Sequence, residues 1–209
     1  MYQAVPPKTK KKGAPQPKDH GAGQGTKVPG FAPLRLVFAA ALIRALPALP
    51  QPAAAQGAAS VTLGPSGLPL PRFVSLKSAR VNSRVGPGVN YSVDWMYTKA
   101  GLPMEIIQEY DTWRRVRDAD GAEGWINQSL LSGKRTAIVA PWQRGKDATV
   151  KLLDSAADDA GVVAIVEPGV IGTIKSCNGK WCQMTLGGRT GWMPQAQLWG
   201  AYPGENIKD

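Results

Sequence analysis

Arg80-Val81-Asn82-Ser83-Arg84-Val85-Gly86-Pro87-Gly88 opens a stretch that closes with Gly124-Trp125-Ile126-Asn127-Gln128-Ser129-Leu130-Leu131. Val81, Ser83 and Val85 alternate with Arg80, Asn82 and Arg84, which predicts a strand over Ala79 to Val85. Gly86-Pro87-Gly88 ends it, because proline lacks the donor that a central strand needs and glycine admits positive φ. Further short strands are predicted at Trp95 to Thr98, Met104 to Tyr110, Trp113 to Arg117 and Gly124 to Ile126. Gly101-Leu102-Pro103, a tight hairpin at Asp111-Thr112 and Asp118-Ala119-Asp120-Gly121 separate them. Ile106 and Val116 are the expected core residues, and Gln128 to Leu131 is expected to make a single helical turn. Short strands punctuated every 8 to 12 residues predict an all-β sandwich or small barrel. No segment carries an apolar helical stripe of three turns.

The pattern then repeats. Trp113 and Trp181 lie 68 residues apart, as do Gly101 and Gly169, while Gly124-Trp125 and Gly191-Trp192 lie 67 apart. Gln128 and Gln195, Leu131 and Leu198, and Gly133 and Gly200 keep the spacing of 67. The one-residue drift falls in the turn holding Gly187-Gly188, as expected of two copies of one unit. The second copy is predicted over 148–202, with strands at Thr149 to Leu153, Val162 to Val166, Val170 to Ser176, Trp181 to Leu186 and Thr190 to Met193. Residues 136–147 bridge the copies. Thr136-Ala137-Ile138-Val139-Ala140 is too apolar for a free linker, so it is expected to lie as a strand against one copy and to dock the two together.

Upstream, residues 1–55 carry eight of the 25 basic side chains and a single acid, Asp19. They account for most of the net charge of +10. The globular part is nearly balanced and lacks the basic footprint that nucleic-acid binding needs, so no nucleic-acid partner is expected. Leu36 to Ile43 is a short apolar run after basic residues, far below the ~20 residues of a membrane span. Prolines and Ala53-Ala54-Ala55 follow. This is the layout of a secretory signal peptide, with cleavage expected near Ala55 and no stable membrane span afterwards. Residues 56–71 are rich in Gly, Ala, Ser and Pro and read as a flexible linker.

Asn82-x-Arg84-x-Gly86-Pro87-Gly88, a glycine turn with an apolar strand, Trp113-Arg114-x-Val116, Gly124-Trp125 and a terminal leucine, in that order, resemble the bacterial SH3 (Src-homology-3-like) domain. The form found in exported proteins of Gram-negative bacteria is the nearest. The resemblance covers Arg72 to Gly133 strongly, within a first domain expected over 72–135, and Ala148 to Gly200 in part, since Lys151 to Ala157 replaces the Asn-x-Arg-x-Gly-Pro-Gly loop. It implies two tandem small SH3-like β-barrels, periplasmic or secreted placement, and a non-catalytic binding module. The partner it implies is a cell-wall (peptidoglycan) peptide or glycan, or an envelope protein. Two alternatives stand beside this: an accessory protein that binds only protein partners, and a weak hydrolase with an acidic pair between the barrels.

His20 is the only histidine and precedes the folded part. Sites that need an imidazole base, and the usual zinc sites, are thereby excluded from the barrels, and no cofactor or metal is expected. Tyr91, Trp95, Tyr97 and Trp113 are the candidate ligand residues, as a shallow aromatic groove; the other reading is that a ~60-residue barrel keeps these rings for its core. Arg84 either presents its guanidinium to an anion or bonds loop carbonyls. Trp125 and Trp192 are expected in the core. Cys177 and Cys182 flank Asn178-Gly179, a strong hairpin signal, and are expected to form a structural disulfide in an oxidising compartment. Asp154, Asp158 and Asp159 lack the spacing of a calcium loop and read as a solvated loop.

Overall fold

The structure is a computed structural model that describes residues 62–208. The expected leader and its cleavage point lie outside these residues. Among the described residues no helix is long and apolar enough to cross a membrane. The fold is all-β, with three single 3-10 turns as its only helical segments among those residues.

The chain begins with a small ribbon of β1 (Thr62–Leu63) and β2 (Pro69–Leu70). The first copy follows: β3 (Arg72–Leu76), β4 (Val81–Arg84), β5 (Val93–Tyr97), β6 (Pro103–Tyr110), β7 (Trp113–Arg117), β8 (Glu123–Asn127) and β9 (Leu131–Ser132). They form one antiparallel sheet in the order β5-β4-β8-β7-β6-β3-β9. The second copy is β10 (Thr136–Val139), β11 (Val150–Leu153), β12 (Val162–Val166), β13 (Ile171–Asn178), β14 (Trp181–Leu186), β15 (Arg189–Pro194) and β16 (Leu198–Trp199). Its order is β12-β11-β15-β14-β13-β10-β16, strand for strand that of the first copy, and β17 (Asn206–Ile207) adds to β13. The repeat extends to the turns. Gly101 and Gly169 both hold positive φ, at 73° and 91°, where a Cβ would be strained. Gln128 and Gln195 each begin a 3-10 turn, and Leu131 and Leu198 each begin the closing strand.

Each sheet encloses its own core. Val81, Leu102, Met104, Ile106, Val116 and Ile126 fill the first, and Leu152, Met184, Met193, Ile174 and Val139 the second. Pleating explains the selection: along β4, Val81 and Ser83 point inward and Asn82 outward. Trp125 and Trp192 depart from expectation. Both are half-buried, because the inward positions of β8 and β15 go to Gly124 and Ile126 and to Gly191 and Met193.

The bridge over 136–147 resolves into two parts. Thr136–Val139 is β10, which occupies in the second sheet the place of β3 in the first, between β13 and β16. Its residues alternate between the copies: Ala137 and Val139 enter the second core and Ile138 the first. One strand therefore seals two cores. The remainder holds a 3-10 turn, Pro141–Gln143, entered through Ala140 at φ 35°.

Of the expected linker, residues 62–71 are described, and they hold the β1–β2 ribbon. The β1–β2 ribbon is tied to the first copy by Ser66, whose amide and hydroxyl both donate to Glu109 at 2.8 Å. The Ser66–Glu109 contact spans 43 positions, beyond the reach of a local reading of Gly/Ser/Pro composition.

Cys177 and Cys182 face each other across β13 and β14 and form a disulfide. The Asn178 side chain accepts from the amides of Lys180 and Trp181 and shapes the turn between them. Reduction is expected to lower stability by about 2 kcal/mol, since the closed loop is short. Urea denaturation with and without reductant checks this; an unchanged midpoint would contradict it.

Candidate functional site

The structure disperses the residues expected to form an aromatic groove. Tyr97 is buried in the first core, 3% exposed, and its hydroxyl donates to Asp118 at 3.1 Å. Trp113 is also buried, and Trp95 is half-buried with its ring against the core. Only Tyr91 is open to solvent. Its ring lies over Gly86, where a Cβ would come within 2.4 Å of it, so the glycine is required by close packing. Arg84 donates to the Tyr91 carbonyl at 2.6 Å. The Asn-x-Arg-x-Gly-Pro-Gly loop is thus held by its own arginine. A small barrel has few residues with which to fill its interior, and Tyr97 and Trp113 are spent there.

A concave surface lies instead between the copies. It is an open cleft of about 430 Å³ walled by Phe73, Trp142, Trp199 and Tyr202, with Glu105 and Arg117 along one side. β3 brings Phe73, β6 and β7 bring Glu105 and Arg117, and the chain after β16 brings Tyr202. Phe73 meets Trp199 edge-on at 5.1 Å and Tyr202 at 4.7 Å, and the Arg135 guanidinium sits 5.8 Å from its ring centre. Trp142 stands at the rim, half exposed, on the turn entered through Ala140. A left-handed non-glycine residue carries a backbone cost, and here it precedes the one exposed tryptophan at the cleft.

Charges beside the cleft are paired. Glu105 binds Arg117 at 2.7 Å and accepts from the Tyr202 hydroxyl at 2.9 Å, which joins residues 97 positions apart. Burial and the Glu105 carboxylate push the Tyr202 hydroxyl well above its ordinary range. Bonding to Glu105 and its charge raise Arg117. Burial pulls Glu205 upward, but Arg135 at 2.7 Å and the Tyr202 amide outweigh it and hold the carboxyl below its usual range. Asp118 accepts from the amides of Asp120 and Ala122 and organises its own turn. Arg144 reaches from the second copy to Asp120 of the first.

Two polar atoms of the cleft's lining residues have no partner: Gln195 Oε1 and Trp199 Nε1. Gln195 is 3% exposed, and its Nε2 donates to the carbonyls of Tyr202 at 2.5 Å and Glu205 at 3.0 Å. Two carbonyl acceptors fix which end of the amide is nitrogen, so the unpaired atom is an acceptor. The sequence reading missed Phe73, Trp142, Trp199 and Tyr202. The detectable signal was a cluster of rings flanking both ends of the second copy.

A family profile described as the bacterial SH3 domain matches residues 77–133 and 146–200, more than half of the chain. The chain belongs to that family. The first match begins directly after β3 and the second beyond β10 and its 3-10 turn, so the strand that opens each sheet lies outside them. No curated protein matches this chain. Among solved structures, NlpC2 from Trichomonas vaginalis is similar at 14% identity over 62% of this chain and 48% of its own, with a TM-score of 0.28. NlpC1 from the same organism is similar at 15% identity over 68% and 50%, also at 0.28. The tandem SH3 chain spans about half the length of either, and scores this low carry no argument.

Proposed function

We propose that this tandem SH3 protein is an extracytoplasmic, non-catalytic module that binds peptidoglycan in the cleft between its copies. Bacterial SH3 domains are commonly extracytoplasmic and often serve as binding modules, and the ligand is our own assignment. The observation that supports it is the open cleft with Trp142 at its rim and Phe73, Trp199 and Tyr202 within. Rings give large contact area at small entropy cost and suit sugar faces and stem peptides alike. The carboxylates favour binding over hydrolysis. Glu105 and Glu205 are each engaged by an arginine, whereas glycoside hydrolysis needs a carboxyl held protonated.

The test is sedimentation of the full chain with insoluble peptidoglycan at physiological salt, beside Trp142→Ala. The substitution touches an exposed ring and leaves both cores intact. Retention is expected to fall about tenfold or more. Both proteins carry the same basic leader, so the difference reports the cleft. An envelope protein as partner is the second reading, favoured by Val162 and Ile165, exposed on the edge strand β12. A chain that ignores peptidoglycan and cross-links to an envelope protein from position 165 would install it.

A further inference from the structure

We propose that β12 is the surface through which two molecules of this chain pair, edge to edge and antiparallel, into a closed dimer. The two large sheets have four ends: β5 and β9 in the first, β12 and β16 in the second. An open strand edge offers unpaired amides and carbonyls to any other strand, and proteins guard such edges by shortness, charge, proline or bulges. β9 and β16 are two residues long. β5 carries Asp94, which is exposed. β12, Val162-Val163-Ala164-Ile165-Val166, has five residues with neither charge nor proline, and Val162 and Ile165 stand 50% and 58% exposed. The repeat makes this a comparison within one molecule. β5 steps from Val93 opposite Arg84 to Trp95 opposite Ser83, and β12 steps from Val162 opposite Leu153 to Ala164 opposite Leu152. The extra residue at the step is Asp94 in the first edge and Val163 in the second. The bulge is shared, and the charge is what β12 lacks.

A second molecule of the same chain fits this edge because the strand is its own complement. With a two-fold axis at Ala164, Val162 meets Val166 and Val163 meets Ile165 of the other molecule, β-branched pairs that stabilise a ladder. Glu167, the first charge beyond the strand, falls opposite Gly161, so no like charges meet. Pairing of β12 with β5 of another molecule sets Asp94 against an apolar strand, and such a head-to-tail contact propagates, whereas the two-fold contact closes. Beside the strand runs an open groove of about 390 Å³ with Val170 and Leu186 in its lining, which gives side chains of the other molecule a concave apolar surface. No residue of β12 lines the cleft between the repeats, so this contact stands apart from the peptidoglycan reading.

The test is sedimentation equilibrium of the full chain over about 1–500 µM, the range in which a contact of one short strand is expected to act. The average mass should rise toward two molecules and stop there. Ile165→Lys sets a charge on the strand at an exposed position and is expected to weaken the association about tenfold or more. Should that variant fail to fold, Val162→Lys takes its place at the other exposed position. A monomeric mass at every concentration would overturn the proposal. So would growth beyond two molecules, which marks a head-to-tail contact, or an association that neither lysine alters, which places the contact on another face.

Discussion

Glu109→Ala lowers the stability of the tandem by about 3–5 kcal/mol, the largest single effect expected from any side chain outside the apolar cores. The carboxylate is 1% exposed and accepts from Ser66 twice and from Arg72 at 2.5 Å, with Arg114 at 3.3 Å. Arg114 is itself buried, so removing Glu109 strands a cation away from water. Burial alone would raise the Glu109 carboxyl from its ordinary value of 4.5; the Ser66 and Arg72 bonds overcome that and hold it at about 2. A depressed carboxyl contributes stability that is complete above the unfolded value and is lost as pH falls through the folded one. The loss is therefore expected between about pH 4.5 and 2, and amounts to about 3 kcal/mol. Urea denaturation at pH 7, 4 and 2 checks it. Glu109→Gln should show a flatter dependence over that window, and parallel losses in the two proteins would contradict the assignment.

Phe73→Ala is expected to cost about 3–5 kcal/mol and to uncouple the copies. Phe73 belongs to β3 of the first copy but is 6% exposed because Trp199 and Tyr202 of the second enclose it. Its loss opens a cavity at the seam and frees Tyr202, whose bond to Glu105 also crosses between copies. The unaltered chain should unfold in urea as one transition, since the Phe73 packing and the Tyr202–Glu105 bond join the copies in addition to β10, which alone is not expected to hold them together. The variant should unfold in two. A single transition at an unchanged midpoint would show that the seam contributes nothing.

In the first copy β4 to β8 were legible as short runs between turn formers, with period-2 alternation at Val81-Asn82-Ser83-Arg84, whereas β3, buried along nearly all its length, was not. The repeat was legible through Trp113 and Trp181 and through the paired turn glycines. The role of β10 was only half legible. Ala137-Ile138-Val139 lacks polar alternation because both its faces are buried, and an apolar run of that kind names no partner. The ligand surface was least legible. Tyr97 and Trp113 resemble groove residues in the sequence and are core residues in space. The cleft is assembled from Phe73, Trp142, Trp199 and Tyr202, which lie up to 129 positions apart and meet only through docking of the copies. Trp199 and Tyr202 are neighbours in the sequence, but the composition around them carries no trace of Phe73 or Trp142.

The most direct test of the central claim is a map of amide and indole N–H shifts in the full chain as soluble peptidoglycan fragments are added. The cleft account predicts that the shifts concentrate on Phe73, Trp142, Trp199 and Tyr202, with the exposed Trp142 indole among the largest. Shifts confined to the Tyr91 loop or to β12, or no shifts at saturating fragment, would contradict it.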